Sequence, residues 1–162
     1  MEILSIVRSL NLPDCLVAAG FVRNLVWDSI HSKKTALNDI DVIFYDSSDC
    51  SNDIEQQITE QLNRAYPDFL WEATNQAFIH TANGDRPYKN TLDAMSYWPE
   101  KETAIGVSLN ADNSINIESV FGLETLFAGE ITYNPKRSID TFQQRVRSKK
   151  WLEIWPNLRT VL

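Results

Sequence analysis

The sequence predicts an α+β fold in which helices pack against a mixed β-sheet. Short apolar, β-branched segments are interspersed with segments of helical periodicity, which places strands and helices in one folding unit. Two strand segments, 104–109 and 115–120, are separated only by the polar turn 110–113 and predict a β-hairpin. One hairpin among strands that are otherwise separated by helices is typical of a mixed sheet.

The N-terminal half alternates regularly between the two kinds of segment. Helical periodicity predicts helices, and apolar runs predict strands, in the order helix 1–10, strand 15–19, helix 21–30, strand 39–45, helix 54–66 and strand 69–73. In the second of these helices, Val22, Leu25 and Val26 are expected on one side. The apolar sides of the helices would cover the sheet.

The C-terminal half contains the hairpin and three further helical segments. These are the brief helices 92–97 and 122–127 and the final helix 139–151. Thr91 is expected to cap the first of them, and Ser138 the last. In the final helix, Phe142 and Val146 are expected to face inward.

Length and composition indicate a single globular domain over residues 1–162. A chain of this length buries about 70% of the surface that it exposes when unfolded, and 43% hydrophobic and 23% charged residues are ordinary values. No apolar run approaches the length of about 18 residues that would predict a membrane span, and the N-terminus does not resemble a signal peptide. Cys15 and Cys50 lack the spacing of a disulfide or zinc scaffold. We therefore expect a cytoplasmic protein without a membrane partner.

Charge is distributed unevenly along the chain. The net charge is −7, but seven basic and two acidic residues follow position 135, so this segment carries +5 and the rest carries −12. An acidic body disfavours broad DNA binding, which requires many phosphates to be neutralised at once. Within the final helix, Arg145 and Lys149 lie one turn apart on a side that we interpret as solvated. Arg147 and Lys150 are the basic candidates for substrate contact.

The most informative segment is the strand at 39–45, which begins with Asp39-Ile40-Asp41. In a strand, residues i and i+2 share a face and lie about 6.6 Å apart, so Asp39 and Asp41 are expected to point the same way. Two carboxylates about 4 Å apart repel by about 4 kcal/mol at an effective dielectric of about 20 and need a cation, a proton or water. Mg²⁺, or Mn²⁺ in its place, is the natural cation. A hydrated pair at a turn, begun by Asn38, is the alternative.

A second motif precedes the aspartates. The segment 17–28 runs from a short strand of small residues through Gly20 into a helix. A strand, a tight glycine turn and a helix N-terminus form a place where backbone N–H groups can bind phosphate.

Four polar residues follow this turn. Arg23 would either bind phosphate or form a salt bridge, and these alternatives stay open. Asn24 and Asp28 are expected to orient the backbone of the following loop. His31 is interpreted as a solvated loop residue.

A third group of polar residues, Asn75, Gln76 and His80, surrounds the apolar pair Phe78-Ile79. The two amides could read the edge of a base or orient a metal ligand, and the imidazole could contact phosphate. Hydrogen-bonded residues that close a loop are the structural alternative for each of them.

These motifs resemble those of a known superfamily. The run from Gly20 to Asn24, followed by Asp39-Ile40-Asp41, is similar to the start of the active site in the polymerase β nucleotidyltransferase superfamily, and locally to tRNA CCA-adding enzymes, whose turn reads Gly-Gly-x-Val-Arg-Asp. The whole chain resembles a family of small bacterial nucleotidyltransferase-like proteins. The matching stretches are Trp71-Glu72, Asn75-Gln76 with His80, Asp93-Ala94, Thr103-Ala104, 122–127, Asn134-Pro135, 145–151 and Trp155-Pro156.

The resemblance implies the nucleotidyltransferase fold and its chemistry. An acceptor hydroxyl or phosphate would attack the α-phosphorus of a nucleoside triphosphate and release pyrophosphate. Asp39 and Asp41 would hold the metal, a third carboxylate would complete the site or accept a proton, and Gly20 would admit the phosphates. Glu72 is the best match for the third carboxylate, and Glu118 is its competitor. A small molecule, a tRNA or a protein could serve as the acceptor.

The sequence departs from the superfamily at Phe21. The usual second residue of the turn is Gly or Ser, and a bulky ring at a phosphate position implies a different substrate, an altered pose or a lost activity. The alternative function is therefore a catalytically inactive module on the same fold that binds a nucleotide or a protein.

Overall fold

The computed structural model describes residues 1–37, 39–48 and 53–162. Asn38, the expected turn residue, and Cys50 lie outside the described residues. The strands of the main sheet are β1 Leu16–Ala18, β2 Asp39–Phe44, β3 Leu70–Asn75, β4 Ile105–Leu109 and β5 Ile115–Ser119, in the order β3-β2-β1-β4-β5. β2 and β3 run parallel, whereas the other neighbours are antiparallel. The predicted mixed sheet and the hairpin of β4 and β5 are confirmed.

Helices pack against this sheet, so the α+β class is confirmed. They are α1 Glu2–Ser9, α2 Gly20–Ile30, α3 Asp53–Ala65, α4 Gln76–Asn83, α5 Thr91–Met95, α6 Glu124–Phe127, α7 Ile139–Ser148 and α8 Trp151–Ile154. Lys101–Thr103 forms a 3₁₀ turn. Among the described residues, no helix has both the length and the apolar composition that a membrane crossing requires.

Two parts of the fold, besides the 3₁₀ turn and α8, were not predicted. The first is α4, which begins where the Asn75 side chain accepts a hydrogen bond from the Ala77 N–H at 3.2 Å and ends at Gly84, whose φ is 70°. An asparagine cap and a left-handed glycine are recognised helix boundaries. The second is a two-stranded parallel sheet of β6 Glu130–Thr132 and β7 Arg159–Val161.

Helix ends follow local side-chain chemistry. Ser138 caps α7 as predicted, because its hydroxyl accepts from the Thr141 N–H at 3.1 Å. The cap of α5 is Asn90 rather than Thr91, since the Asn90 side chain accepts from the Asp93 N–H at 2.8 Å. The predicted helix 139–151 breaks at Lys150, whose φ of 53° separates α7 from α8.

The two faces of β2 behave as its alternation predicts. Ile40, Val42 and Phe44 are at most 1% exposed and pack in a core with residues of α1 and α3. Asp39 and Asp41 point away from this core and line a pocket on the opposite face. The period of the strand therefore separates the core from the site.

A second core joins α2 to the C-terminal helices. Trp27 of α2 makes edge-to-face contacts with Trp151 and Trp155, with ring centroids 5.6 and 5.2 Å apart. The expectation that Leu25 shares the buried side of α2 is wrong, because Leu25 is 65% exposed. The rotation of α2 is set by Trp27 and by Arg23, both of which are buried.

Two polar residues of α2 and the turn after it support this packing. Asp28 accepts hydrogen bonds from Trp155 Nε1 at 2.8 Å and from the Thr35 N–H at 2.7 Å, which confirms that Asp28 orients the loop backbone. His31 is not a solvated residue, because its Nδ1 lies 2.7 Å from the Trp27 carbonyl oxygen and its Nε2 accepts from the Asn157 N–H at 2.9 Å. This pattern assigns the proton to Nδ1.

We expect Asp28→Ala to lower the free energy of unfolding by about 3 kcal/mol, because the buried indole N–H of Trp155 and the Thr35 N–H lose a charged acceptor. Urea denaturation at pH 7 measures the change. Asp68→Ala, which removes an exposed carboxylate, should change the unfolding free energy by less than about 0.5 kcal/mol. Equal effects of the two substitutions would contradict this account of the second core.

Candidate active site

The pocket on the polar face of β2 and β3 has a volume of about 300 Å³. Asp39, Asp41 and Glu72 form its acidic side, and it is also lined by Arg145 of α7 and by Lys149, the C-terminal cap of that helix. The remaining lining residues are Ala19, Ile43, Thr74, Gln76, Trp98, Pro99 and Thr103. Acidic and basic side chains therefore share one cavity, which is the arrangement that a bound cation and a bound polyanion together require.

The register of the sheet determines which carboxylates are neighbours. Asp41 pairs with Glu72 across the parallel strands β2 and β3, which lie about 4.8 Å apart. On the other side of Asp41, the paired residues are Ala18, Gly106 and Glu118 in turn. Glu118 is thus three strand spacings, or about 14 Å, from Asp41. Its distance prevents it from sharing an ion with Asp41, and this geometry favours Glu72 as the third carboxylate.

The surroundings of Asp41 oppose the ionisation of its carboxyl group. Burial raises the pKa of this carboxyl to about 6, and the charges of Asp39 and Glu72 act in the same direction. Arg23 and Lys149 act in the opposite direction and offset only part of the shift. The carboxylate of Asp41 therefore lacks a sufficient positive partner at neutral pH.

The donor set of the acidic side fits Mg²⁺. Among the described residues, no three His, Cys, Asp or Glu side chains are arranged so that they could hold a metal ion by themselves. Mg²⁺ is usually bound through one or two carboxylates, with phosphate oxygens and water completing its octahedron. Asp39 and Asp41 match that requirement, and the excess negative charge beside Glu72 is what a cation would relieve.

The turn between β1 and α2 is strained at Ala19. Ala19 has φ 53° and ψ −118°, a conformation that is costly for a residue with a side chain, by about 1–3 kcal/mol. It is held by hydrogen bonds from the Ala19 N–H to the Ile105 carbonyl oxygen at 2.9 Å, and from the Arg23 N–H to the Ala19 carbonyl oxygen at 3.0 Å. When Val22 and Arg23 are matched to Gly-Gly-x-Val-Arg, Ala19 and Gly20 occupy the two glycine positions.

Phe21 therefore occupies the variable position of the motif. Its ring packs against the core that contains β2 rather than lining the pocket. The obstruction expected from a bulky ring at the phosphate position does not arise, because α2 turns this side chain to the other face of the sheet.

Arg23 lies beneath the pocket and not in its lining. It is 6% exposed, and its guanidinium lies over the rings of Trp27 and Trp151, at 4.8 and 4.6 Å from their centroids. Its Nη1 donates to Thr103 Oγ1 at 3.0 Å, and its Nε and Nη2 donate to Asn24 Oδ1 at 3.2 and 3.0 Å. Burial lowers the pKa of Arg23 to about 10. Both predicted residues, Arg23 and Asn24, thus support the pocket from behind.

Sequence reasoning missed Glu100, which connects these supports to α7. Glu100 is 1% exposed and accepts from Arg145 Nε at 2.7 Å and from Arg145 Nη2 at 3.3 Å. Thr103 Oγ1 donates to Glu100 Oε2 at 3.1 Å, so the chain of contacts continues to Arg23. The sequence contains no motif around Glu100 that would distinguish it from a surface acid.

The three predicted binding residues Asn75, Gln76 and His80 have different surroundings in the structure. Asn75 caps α4, and its Oδ1 also accepts a hydrogen bond from the Asp46 N–H at 3.0 Å. This oxygen therefore already takes part in two hydrogen bonds. His80 Nδ1 lies 2.8 Å from the Ala77 carbonyl oxygen, and its ring packs edge-on against Tyr88, outside the pocket lining. Gln76 is 4% exposed and lines the pocket, and its amide makes no hydrogen bond within the described residues.

A second cavity, of about 330 Å³, lies beside α1 and is lined largely by apolar residues, together with Cys15 and Arg8. Burial, with a smaller contribution from Asp14, raises the pKa of the Cys15 thiol to about 12. A thiol that stays protonated at neutral pH is a poor nucleophile. Cys15 is therefore a poor candidate for a catalytic nucleophile, and the pocket of Asp39 and Asp41 is the better candidate site.

The mixed sheet and the paired aspartates agree with the resemblance to nucleotidyltransferases, and comparison with known families agrees as well. A family model described as nucleotidyltransferase matches residues 5–160. The chain belongs to this nucleotidyltransferase family, whose members use nucleoside triphosphates in nucleotidyl transfer. No curated protein matches the chain.

Solved structures agree with the fold. A protein whose NMR structure reveals a CCA-adding enzyme head domain is 33% identical, with a TM-score of 0.89, over 99% of this chain and 87% of that one. A CCA-adding enzyme in complex with CTP is 16% identical, with a TM-score of 0.63, over 99% of this chain and 40% of that one. A tRNA nucleotidyltransferase complexed with a primer tRNA and an incoming ATP analog is 13% identical, with a TM-score of 0.54, over 96% of this chain and 45% of that one. The last two show the fold alone, and the chain spans less than half of each.

We expect Asp41→Asn to stabilise the ligand-free protein at pH 8. A raised carboxyl pKa means that ionisation opposes folding, so its cost is absent below the unfolded pKa of about 3.9 and complete above about pH 6. The substitution should add about 2–3 kcal/mol to the free energy of unfolding at pH 8, and the gain should shrink as the pH falls from 6 towards 4. Urea denaturation across this range measures it. Glu118→Gln is the control, and a gain from Asp41→Asn that does not depend on pH would contradict the assignment.

Proposed function

We propose that the chain transfers a nucleoside monophosphate from a nucleoside triphosphate to an acceptor, with Mg²⁺ or Mn²⁺ bound by Asp39 and Asp41. The observation that carries the proposal is the acidic side of the pocket, where Asp41 is held beside Asp39 and Glu72 without enough positive charge nearby. A protein normally avoids such a cluster, because each uncompensated charge costs stability. Its presence in a member of a nucleotidyltransferase family supports a site built for a cation and phosphates.

The reaction proposed is an in-line displacement at the α-phosphorus. The acceptor oxygen forms a bond to the α-phosphorus, the bond from that phosphorus to the oxygen bridging to the β-phosphorus breaks, and pyrophosphate leaves with the electron pair. The metal, when bound, neutralises charge on the attacking and leaving oxygens. In this proposal Glu72 helps to hold the metal or accepts the proton of the acceptor. Ala19 lines the pocket, and in this proposal the backbone of Ala19 and Gly20 lies next to the phosphates.

Gln76 is the proposed contact to the nucleoside. Its amide carries donors and an acceptor, and a nucleobase edge offers the complementary groups. The amide lies at the pocket, so a nucleobase edge that forms hydrogen bonds with it would add affinity and selectivity. Trp98 lines the same pocket and offers an aromatic surface. Asn75 and His80 are assigned structural roles in this proposal.

The acceptor is proposed only by class, as a hydroxyl or phosphate on a small molecule, a tRNA or a protein. The solved complex of a relative with a primer tRNA supports the tRNA candidate. The acidic body of this chain makes a long polynucleotide a poorer candidate than the end of one.

Metal-dependent nucleotide binding should require Asp41. We expect at least one of the four ribonucleoside triphosphates with Mg²⁺ to raise the melting temperature of the wild type, since ligand at 100 times its dissociation constant adds about 2.7 kcal/mol. Asp39→Asn and Asp41→Asn should remain folded and lose this shift, each compared with its own ligand-free baseline. Glu118→Gln should keep it.

A shift that survives in Asp41→Asn would sink the proposed site. If the wild type shows no shift with any nucleotide, the inactive protein-interaction module becomes the better account. Release of pyrophosphate by the wild type, dependent on Mg²⁺ and on Asp41, would exclude that module.

Gln76→Ala should change selectivity more than overall affinity. Loss of the amide should raise the dissociation constant of the preferred triphosphate by about fivefold to tenfold, because one base-edge hydrogen bond contributes about 1 kcal/mol. The dissociation constants of the four triphosphates should therefore become more alike. Calorimetric titration with each triphosphate measures the ranking. An unchanged ranking, with affinity lowered equally for all four, would assign Gln76 to phosphate or sugar instead.

A further inference from the structure

We propose that α7 supplies a polyphosphate-binding wall to the pocket, formed by Arg145 and Lys149 and positioned by the buried carboxylate of Glu100. The identification of the ligand as the phosphate chain of the nucleotide rests on the proposed function. The wall itself rests on the contacts of these three residues.

Both cations reach the pocket from one face of α7. Arg145 and Lys149 are four residues apart, so their side chains lie one above the other on the helix. They line the same cavity as Asp39, Asp41 and Glu72. This placement differs from the solvated face that the sequence predicts, because the side of α7 that carries Phe142 and Val146 docks on the second core and brings the adjacent basic side to the cavity.

The guanidinium of Arg145 is held but not saturated. Its Nε and Nη2 donate hydrogen bonds to the Glu100 carboxylate at 2.7 and 3.3 Å, whereas its Nη1 makes no hydrogen bond within the described residues. The Arg145 side chain is 36% exposed, and that of Glu100 is 1% exposed. The buried carboxylate thus fixes the orientation of the guanidinium in advance, which lowers the entropy lost when a ligand binds.

Lys149 is the more available of the two cations. It is exposed at the mouth of the cavity, and within the part of the chain that the structure describes it has neither an ion pair nor a side-chain hydrogen bond. It nevertheless lines the same pocket as Asp39 and Asp41, which places it opposite the acidic side. An ammonium group in this position serves as a point charge for a phosphate.

The pattern of these donors fits phosphate better than other anions. A guanidinium with one free nitrogen and an ammonium one helical turn away offer several donors to an anion with several oxygens along its length. A single carboxylate would leave one of the two cations unused. Arg147 and Lys150, the basic candidates from the sequence, are exposed and do not line the pocket.

Inorganic tripolyphosphate tests the wall without a nucleoside. We expect it to bind the wild type in calorimetric titration, with and without Mg²⁺, whereas a nucleoside without phosphates binds more weakly. Arg145→Gln and Lys149→Gln should each weaken tripolyphosphate binding by about tenfold, the usual loss for a charge-assisted contact. Lys149 is exposed and unpaired, so Lys149→Gln keeps the test decisive if Arg145→Gln fails to fold.

Arg147→Gln and Lys150→Gln are matched controls, because each removes one positive charge from the same segment at a position outside the pocket. They should change the dissociation constant by less than about twofold. An equal loss of tripolyphosphate affinity in all four variants would show that only the net charge of the segment matters, and it would contradict the proposed phosphate-binding wall. Absence of tripolyphosphate binding to the wild type would overturn it as well.

Two further results separate this inference from the proposed function. Tripolyphosphate binding that depends on Arg145 and Lys149, without any Asp41-dependent nucleotide binding, would support the wall and reject the transferase. A short oligonucleotide without a triphosphate that binds more tightly than tripolyphosphate, with the same dependence on Lys149, would assign the wall to a polynucleotide backbone and overturn its assignment to the nucleotide.

Discussion

The mutual repulsion of Asp39, Asp41 and Glu72 is the constraint around which the rest of this structure is arranged. The alternation of β2 and its parallel register with β3 place the three carboxylates on one patch of the sheet. Their separation is therefore fixed by backbone geometry and not by side-chain choice. The raised pKa of Asp41 is the physical sign of this confinement, since burial and two negative neighbours all oppose its ionisation.

Confinement of this kind requires a rigid support, and the opposite face of β2 provides it. Ile40, Val42 and Phe44 are buried there together with the adjacent helices. If β2 shifted by one residue relative to its neighbours, its carboxylates would enter this core. The stability of the core thus maintains the strained arrangement of charges, and a bound cation would relieve the repulsion.

The positive side of the pocket is supported in a different way. Arg23 is enclosed by tryptophan rings and by Thr103, and Arg145 is held by Glu100, so the buried polar groups form a chain from α2 to α7. Burial of charged groups is tolerated when each has partners and is costly when one is removed. This chain of contacts links α2, the helix that follows the turn at Ala19, to α7, the helix that Lys149 caps.

The sequence predicted the direction of a side chain correctly where that direction depends on a single strand or helix. The period of two at Asp39-Ile40-Asp41 predicted which residues face the pocket, and Asp28, near the end of α2, was expected to orient the backbone of the following loop. The position of Arg145 at the pocket was missed because the rotation of α7 depends on the tryptophan core, whose residues come from distant parts of the chain. Glu100 and the three-residue strands β6 and β7 carry no local signal, since β6 and β7 pair over a separation of 29 residues and the ion-pair partner of Glu100 lies 45 residues away along the chain.

Chemical-shift mapping of ¹⁵N-labelled protein tests the central claim most directly, because it locates the nucleotide without requiring an acceptor. With a bound nucleoside triphosphate and Mg²⁺, the account predicts the largest changes at the backbone amides of Ala19 and Gly20, at Thr74 and at the side-chain amide of Gln76. These changes should disappear in Asp41→Asn. Changes centred on the cavity beside α1, around Cys15, would contradict the assignment of the sheet-face pocket as the nucleotide site.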